Sequence, residues 1–182
     1  MSDSDYGKKL VEEMWLDLFL AEYKNITGRS LMKFTRSERP DFLCTDFVGD
    51  RFGIELVRVM ETPESHMWRR VLKNQEFADP LDTAIRVQET ITRKDYLRQT
   101  TGWSCPDNTI LVLQLMDAPI EEVKKFICSE LFEVGESAGF SEIWIADYTV
   151  EEAYSTVQLY GIKPERFRGL HDHAFSNSKP YG

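Results

Sequence analysis

The chain has 182 residues, 42% of them hydrophobic and 29% charged, and its 31 acidic and 22 basic side chains leave a formal charge of −9. Length and balance are those of one globular domain with room for a real core, and no apolar run is long enough to make a transmembrane helix. The negative charge opposes general attraction to nucleic acid or an anionic membrane, so any such contact must use a local basic patch, either residues 66–73 or the group Arg86, Arg93, Lys94 and Arg98.

Residues 6–24 predict a helix, because Val11, Met14, Trp15, Leu18 and Phe19 recur at helical spacing. Gly28 punctuates a turn. Residues 30–36 alternate as a strand does, Pro40 opens a second strand over 41–47, and Val48-Gly49-Asp50 is a turn signal. Residues 51–60 read as a third strand with apolar residues on both faces, which places it centrally under covering helices. The stretch 61–79 is irregular, with Ser65 as a cap for a short helix. Asp79-Pro80 then starts a helix that runs to about residue 99. Residues 109–116 form the clearest buried strand. Ala118-Pro119 opens a helix to about Glu136 that presents Val123, Phe126, Ile127, Leu131 and Val134 on one face, and 141–148 is a last core strand.

Short turns make the first three strands an antiparallel meander, and the helical crossovers add the last two in parallel. The expected fold is therefore α/β, a mixed sheet of about five strands with helices on both faces. It forms a single domain over 1–182, with a core at about 6–148 and an irregular C-terminal extension, 149–182. There is no internal repeat.

The opening Met-Ser-Asp-Ser-Asp has neither the basic start nor the apolar stretch of a signal peptide, so a cytoplasmic location is expected. Cys44, Cys105 and Cys128 are odd in number and contain no CxxC pair, which predicts reduced thiols rather than zinc ligands or a disulfide framework. In that compartment the Asn25-Ile26-Thr27 sequon has no glycosylation meaning.

The chemistry-bearing constellation comes from strand register. A hairpin centred near residue 48 places Asp41 directly across from Glu55, on the same face. Two adjacent carboxylates repel unless one takes a proton or a cation lies between them. Glu55 is also flanked by Ile54, Leu56 and Val57, where an unpaired charge is costly. A hard divalent ion, Mg²⁺ with Mn²⁺ as a substitute, resolves that conflict. Glu22 extends the helix stripe of Val11, Trp15 and Leu18, and it lies near the helix C-terminus, where the dipole disfavours an anion. It is the third candidate ligand.

Pro40-Asp41 followed by Gly53-Ile54-Glu55-Leu56-Val57, on consecutive strands after an N-terminal helix, resembles the PD-(D/E)xK restriction-endonuclease-like superfamily. The order of helix, three strands, helix and strand, over roughly residues 6–116, is similar to that family's core. The resemblance implies that Asp41 and Glu55 bind Mg²⁺ with Glu22 as a further acid, and that the protein acts on or associates with nucleic acid. The family's lysine falls two residues after the acid, where this chain has Val57. Some members carry the lysine on a helix instead, and others have lost activity. Lys94, on the helix 80–99, is the candidate substitute, with Gln88 on the same helix as a second inward-facing polar group. The chemistry expected of an active site built this way is metal-assisted phosphodiester hydrolysis.

The other expectation is a non-catalytic acidic interaction protein, an inhibitor or immunity-type partner on the same fold, favoured by the net charge and by Val57. His171-Asp172-His173 has no third ligand at metal-site spacing. Trp68, Trp103 and Trp144 are expected to pack, and Lys179-Pro180-Tyr181-Gly182 to be a loose end. No P-loop, dinucleotide fingerprint, GxSxG elbow or HExxH is present.

Overall fold

The structure, a computed structural model, describes residues 3–60, 77–149 and 156–171. The expected Ser65 cap, the basic stretch 66–73, Trp68, His173 and the terminal tetrapeptide lie outside the described residues.

Helix α1 (Asp3–Thr27) is longer than expected at both ends. Gly28 ends it in the left-handed conformation, φ 72°, and donates its N–H to Lys24 O. This terminating turn favours glycine because a Cβ is strained there. The stripe of Trp15, Leu16, Phe19 and Tyr23 is buried. Strands β1 (Met32–Arg36), β2 (Phe42–Thr45) and β3 (Arg51–Val59) form the antiparallel meander. Asp46 fixes the second turn, its carboxylate accepting from the N–H groups of Val48, Gly49 and Asp50. The resulting register pairs Phe42 with Ile54 and Thr45 with Arg51, which is the hairpin centred at residue 48.

Helix α2 (Pro80–Thr100) starts on Asp79, whose side chain accepts from the N–H groups of Leu81 and Asp82. It crosses to β4 (Thr109–Leu115), which runs parallel to β3. The second crossover differs from expectation. In place of one helix to residue 136 there is a short α3 (Ile120–Val123), a 3-10 turn at Lys124–Phe126, extended backbone at Ile127 and Cys128, and α4 (Ser129–Ser137). The break turns Phe126 outward, 43% exposed, while Val123 and Leu131 stay buried. Strand β5 (Glu142–Asp147) then joins parallel to β4.

The C-terminal extension is not irregular throughout. Strands β6 (Gln158–Lys163) and β7 (Gly169–His171) add to the sheet in antiparallel fashion. Among the described residues the mixed sheet has the order β1-β2-β3-β4-β5-β6-β7, seven strands where about five were expected. Gly161 lies under the 3-10 turn Glu165–Phe167, where an added Cβ would fall 1.9 Å from Phe167 O.

Helices cover both faces. On one, α1 packs with Phe42, Ile54, Ile110, Val112, Trp144 and Leu159. On the other, α2, α3 and α4 pack on Val57, Leu111, Leu113, Ile143, Ile145 and Ile162. β3 is central and covered. It also outruns β2: β4 pairs with β3 from Gly53 to Val59, whereas the β2 register ends at Ile54. Among the described residues β2 pairs with β3 no further than Ile54, and this is the edge where Asp41 enters. All three cysteines are free thiols, with Cys44 buried and Cys128 exposed. Among the described residues no helix is long and apolar enough to cross a membrane.

Candidate functional site

Extending the β2–β3 register by one residue beyond Phe42↔Ile54 sets Asp41 against Glu55, and their hydrogen bonds tie the two positions together. The Asp41 N–H donates to Glu55 Oε2 at 3.2 Å, and the Leu56 N–H donates to Asp41 Oδ2 at 2.8 Å. Strand alternation turns Glu55 to the α2 face, with Val57 and Val59. There Lys94 of α2 forms an ion pair with Glu55 Oε1. Lys94 is 18% exposed and Glu55 only 6%. Three residues from three elements therefore converge: Asp41, Glu55 and Lys94.

The electrostatics of this cluster are unbalanced. Burial first, and then the neighbouring Glu55 charge, raise the Asp41 carboxyl to about 7, against the Leu56 N–H and Lys94, which lower it. Glu55 is satisfied on both oxygens, whereas Asp41 Oδ1 accepts no hydrogen bond among the described residues. One lysine thus serves two adjacent carboxylates. The other buried acids of the sheet differ. Glu142 accepts from Tyr23, Arg29 and Trp144. Asp147 accepts from Ile120 N and twice from Thr149. Their donors already satisfy them, so they serve the fold.

Two of the five sequence candidates are not brought to the cluster. Glu22 is buried beside Asn25, whose amide donates to it at 3.1 Å, at the opposite end of α1 from Asp41. The acid of α1 whose charge Asp41 feels is Glu12, which pairs with Arg36 at 3.3 Å. The reason is geometric. The turn at Gly28 sets the C-terminal end of α1 beside the start of β1. β1 then runs back along the helix, and five strand residues cover about the 15 Å that ten helical residues span. The end of β1, and Asp41 just beyond it, thus meet the N-terminal half of α1. Glu12 carried no signal in the apolar stripe; only the length of β1 could have pointed to it. Gln88 also turns away and donates to Glu130 Oε1 on α4 at 3.3 Å. Six positions separate it from Lys94, about 120° around the helix, so the two cannot share a face.

Val57, where the family's lysine would stand, is 7% exposed in the core against α2. With α2 laid over that position a strand lysine would be buried among aliphatic side chains, and the charge comes instead from α2. Arg58 points to the other face, its guanidinium 4.5 Å over the Trp15 ring. His171 packs on Trp144 and contacts Phe167 O at 2.8 Å. Trp103 packs on Phe140.

Two adjacent, largely buried carboxylates form a hard oxygen donor set of the kind that holds Mg²⁺ with the help of water. The deficit of positive charge at Asp41 fits such an ion. Among the described residues no three His, Cys, Asp or Glu side chains group to hold a metal by themselves. No family model, curated protein or solved structure matches the chain.

Proposed function

We infer that the protein is a Mg²⁺-dependent nuclease-like protein acting on a nucleic-acid phosphodiester, with Asp41 and Glu55 as ligands and Lys94 as the cationic group. The observation that carries this reading is the convergence of Asp41, Glu55 and Lys94 at one edge of β3, with Asp41 short of counter-charge. The restriction-endonuclease-like resemblance of the Pro40-Asp41 and Glu55 segments supports it.

Asp41 and Glu55 would hold the ion, which would supply polarisation of a phosphate oxygen and acidification of a water. The protein's own part is positional. Asp41 and Glu55 are locked to the backbone by their mutual hydrogen bonds, so their oxygens stay close without moving on binding. Glu55 holds the Lys94 ammonium beside them, where it can orient the attacking water or offset charge developing on the phosphate. In hydrolysis the water oxygen bonds to phosphorus, the ester P–O bond breaks, and the leaving oxygen takes up a proton.

The test is a panel of single- and double-stranded DNA and RNA incubated with Mg²⁺ or Mn²⁺. Wild type is expected to cleave at least one substrate and Glu55→Gln none. A wild type inert on the whole panel favours the non-catalytic acidic interaction protein. Under that second reading the Glu55–Lys94 pair and a protonated Asp41 are a self-neutralised remnant, a view that the net charge of −9 supports.

A further inference from the structure

At the C-terminal end of β3, beside the Asp41–Glu55–Lys94 cluster, the surface opens into a cavity of about 190 Å³. Its walls include Arg58 and Met60 from the end of the strand and Arg86, Glu89, Thr90 and Arg93 from α2. Three arginines thus meet one glutamate in a chain whose net charge is −9. The strand wall carries Arg58, whose guanidinium is braced over Trp15. The helix wall carries Arg86, whose Nη1 is shut off from solvent and has no hydrogen-bond partner. A buried guanidinium nitrogen left unpaired is unfavourable, so a small shift of the Arg86 side chain that brings an acceptor onto it is favoured. Arg93, two turns further along α2, is exposed.

The geometry points to this cavity as a phosphate-binding pocket that grips the nucleic-acid strand next to the scissile position. Two arginines of α2, Arg86 and Arg93, line it, and the forked, permanently charged guanidinium suits tetrahedral phosphate oxygens. The volume is below the roughly 300 Å³ at which sites begin to enclose a drug-sized molecule, so it takes a phosphate group and leaves the base and sugar outside. Its position suits a polymer. Thr90 precedes Lys94 by one helical turn, about 6 Å, and Arg58 follows Glu55 by three strand residues, about 10 Å. A phosphate in the pocket and a phosphate at Lys94 can therefore belong to one strand. The identity of the polymer rests on the nuclease reading above; the anion site does not.

The test is equilibrium binding in EDTA, so that no metal chemistry contributes. The probes are one DNA oligonucleotide in 5′-phosphorylated, 3′-phosphorylated and unphosphorylated forms, with inorganic phosphate as competitor. Wild type is expected to bind the oligonucleotide, to lose it to inorganic phosphate, and to show binding weakened about tenfold in Arg86→Gln, the loss of one charge-assisted contact. Arg93→Gln should lose less and flatten the salt dependence. Because Arg86 Nη1 has no partner to lose, Arg86→Gln should melt no lower than wild type, and the exposed Arg93→Gln serves as a second, independent variant. A gain from a terminal phosphate supports a pocket for strand ends. Equal binding of all three forms that still depends on Arg86 supports an internal phosphodiester. No oligonucleotide binding by wild type, or binding indifferent to both substitutions and to inorganic phosphate, overturns the pocket. Arg86-dependent phosphate binding without any cleavage would reject only the nuclease reading.

Discussion

Lys94 on α2 makes an ion pair with Glu55 on β3, a partner 39 positions earlier in the chain, and both side chains are largely withdrawn from water. Removing the lysine leaves a buried carboxylate without its counter-charge, which costs about 3 kcal/mol. Lys94→Ala is therefore expected to melt well below wild type in EDTA, to recover much of that loss in Mn²⁺, and to show no cleavage. Thermal melts with and without the ion read this directly. A loss that Mn²⁺ does not recover would assign the pair a purely structural role.

Metal binding should depend on Asp41. Calorimetry is expected to show Mn²⁺ binding by wild type, weakened in Asp41→Ala by more than the roughly tenfold that loss of a supporting residue costs. Equal binding by both proteins would remove Asp41 from the ligand set.

Asp41 also predicts a pH dependence. Its carboxyl is raised to about 7, first by burial and then by Glu55, against about 3.9 in the unfolded chain. Between these values the folded protein keeps a proton that the unfolded chain releases. The contribution is present in full below about pH 4 and is lost as pH rises through about 7, with a ceiling of about 4 kcal/mol. Asp41→Asn keeps an acceptor for the Leu56 N–H and removes the titration. In EDTA it should be more stable than wild type at pH 8 and lose that advantage at pH 5. Because proton and metal compete for the same carboxylate, Mn²⁺ affinity of wild type should fall as pH drops below 7. A variant with an unchanged stability–pH slope would show that Asp41 is ionised throughout.

Gly53 couples the site to the sheet. A Cβ there would lie 2.5 Å from Pro40 Cγ and 2.7 Å from Thr109 Oγ1. The proline ring cannot bend aside, so the chain entering Asp41 must shift. Gly53→Ala is expected to lose about 1–3 kcal/mol and to weaken Mn²⁺ binding. Gly102→Ala, whose Cβ meets nothing within 4 Å, is the control. Denaturant unfolding and calorimetry compare the two, and unaltered metal binding in Gly53→Ala would uncouple the turn from the site.

The sequence by itself determined what depends on local rules. Alternation and turn residues set the β2–β3 register, because a two-residue side-chain period leaves one phase that buries the apolar face, and that register alone placed Asp41 opposite Glu55. Asp79-Pro80 marked the start of α2 through a cap and a proline that act within four residues.

Tertiary structure decided what depends on how elements lie against one another. Which acid of α1 reaches Asp41 depends on the length of β1 and its antiparallel return, and so is Glu12 rather than Glu22. Gln88 faces α4 because packing, not helical spacing alone, chooses the rotation of α2. The strands β6 and β7 escaped the pattern because Gly161 answers to the 3-10 turn folded over it and β6 is fixed by its pairing with β5, a partner that the local sequence does not name. The charge missing at Val57 is likewise supplied across space, from a helix laid over the strand.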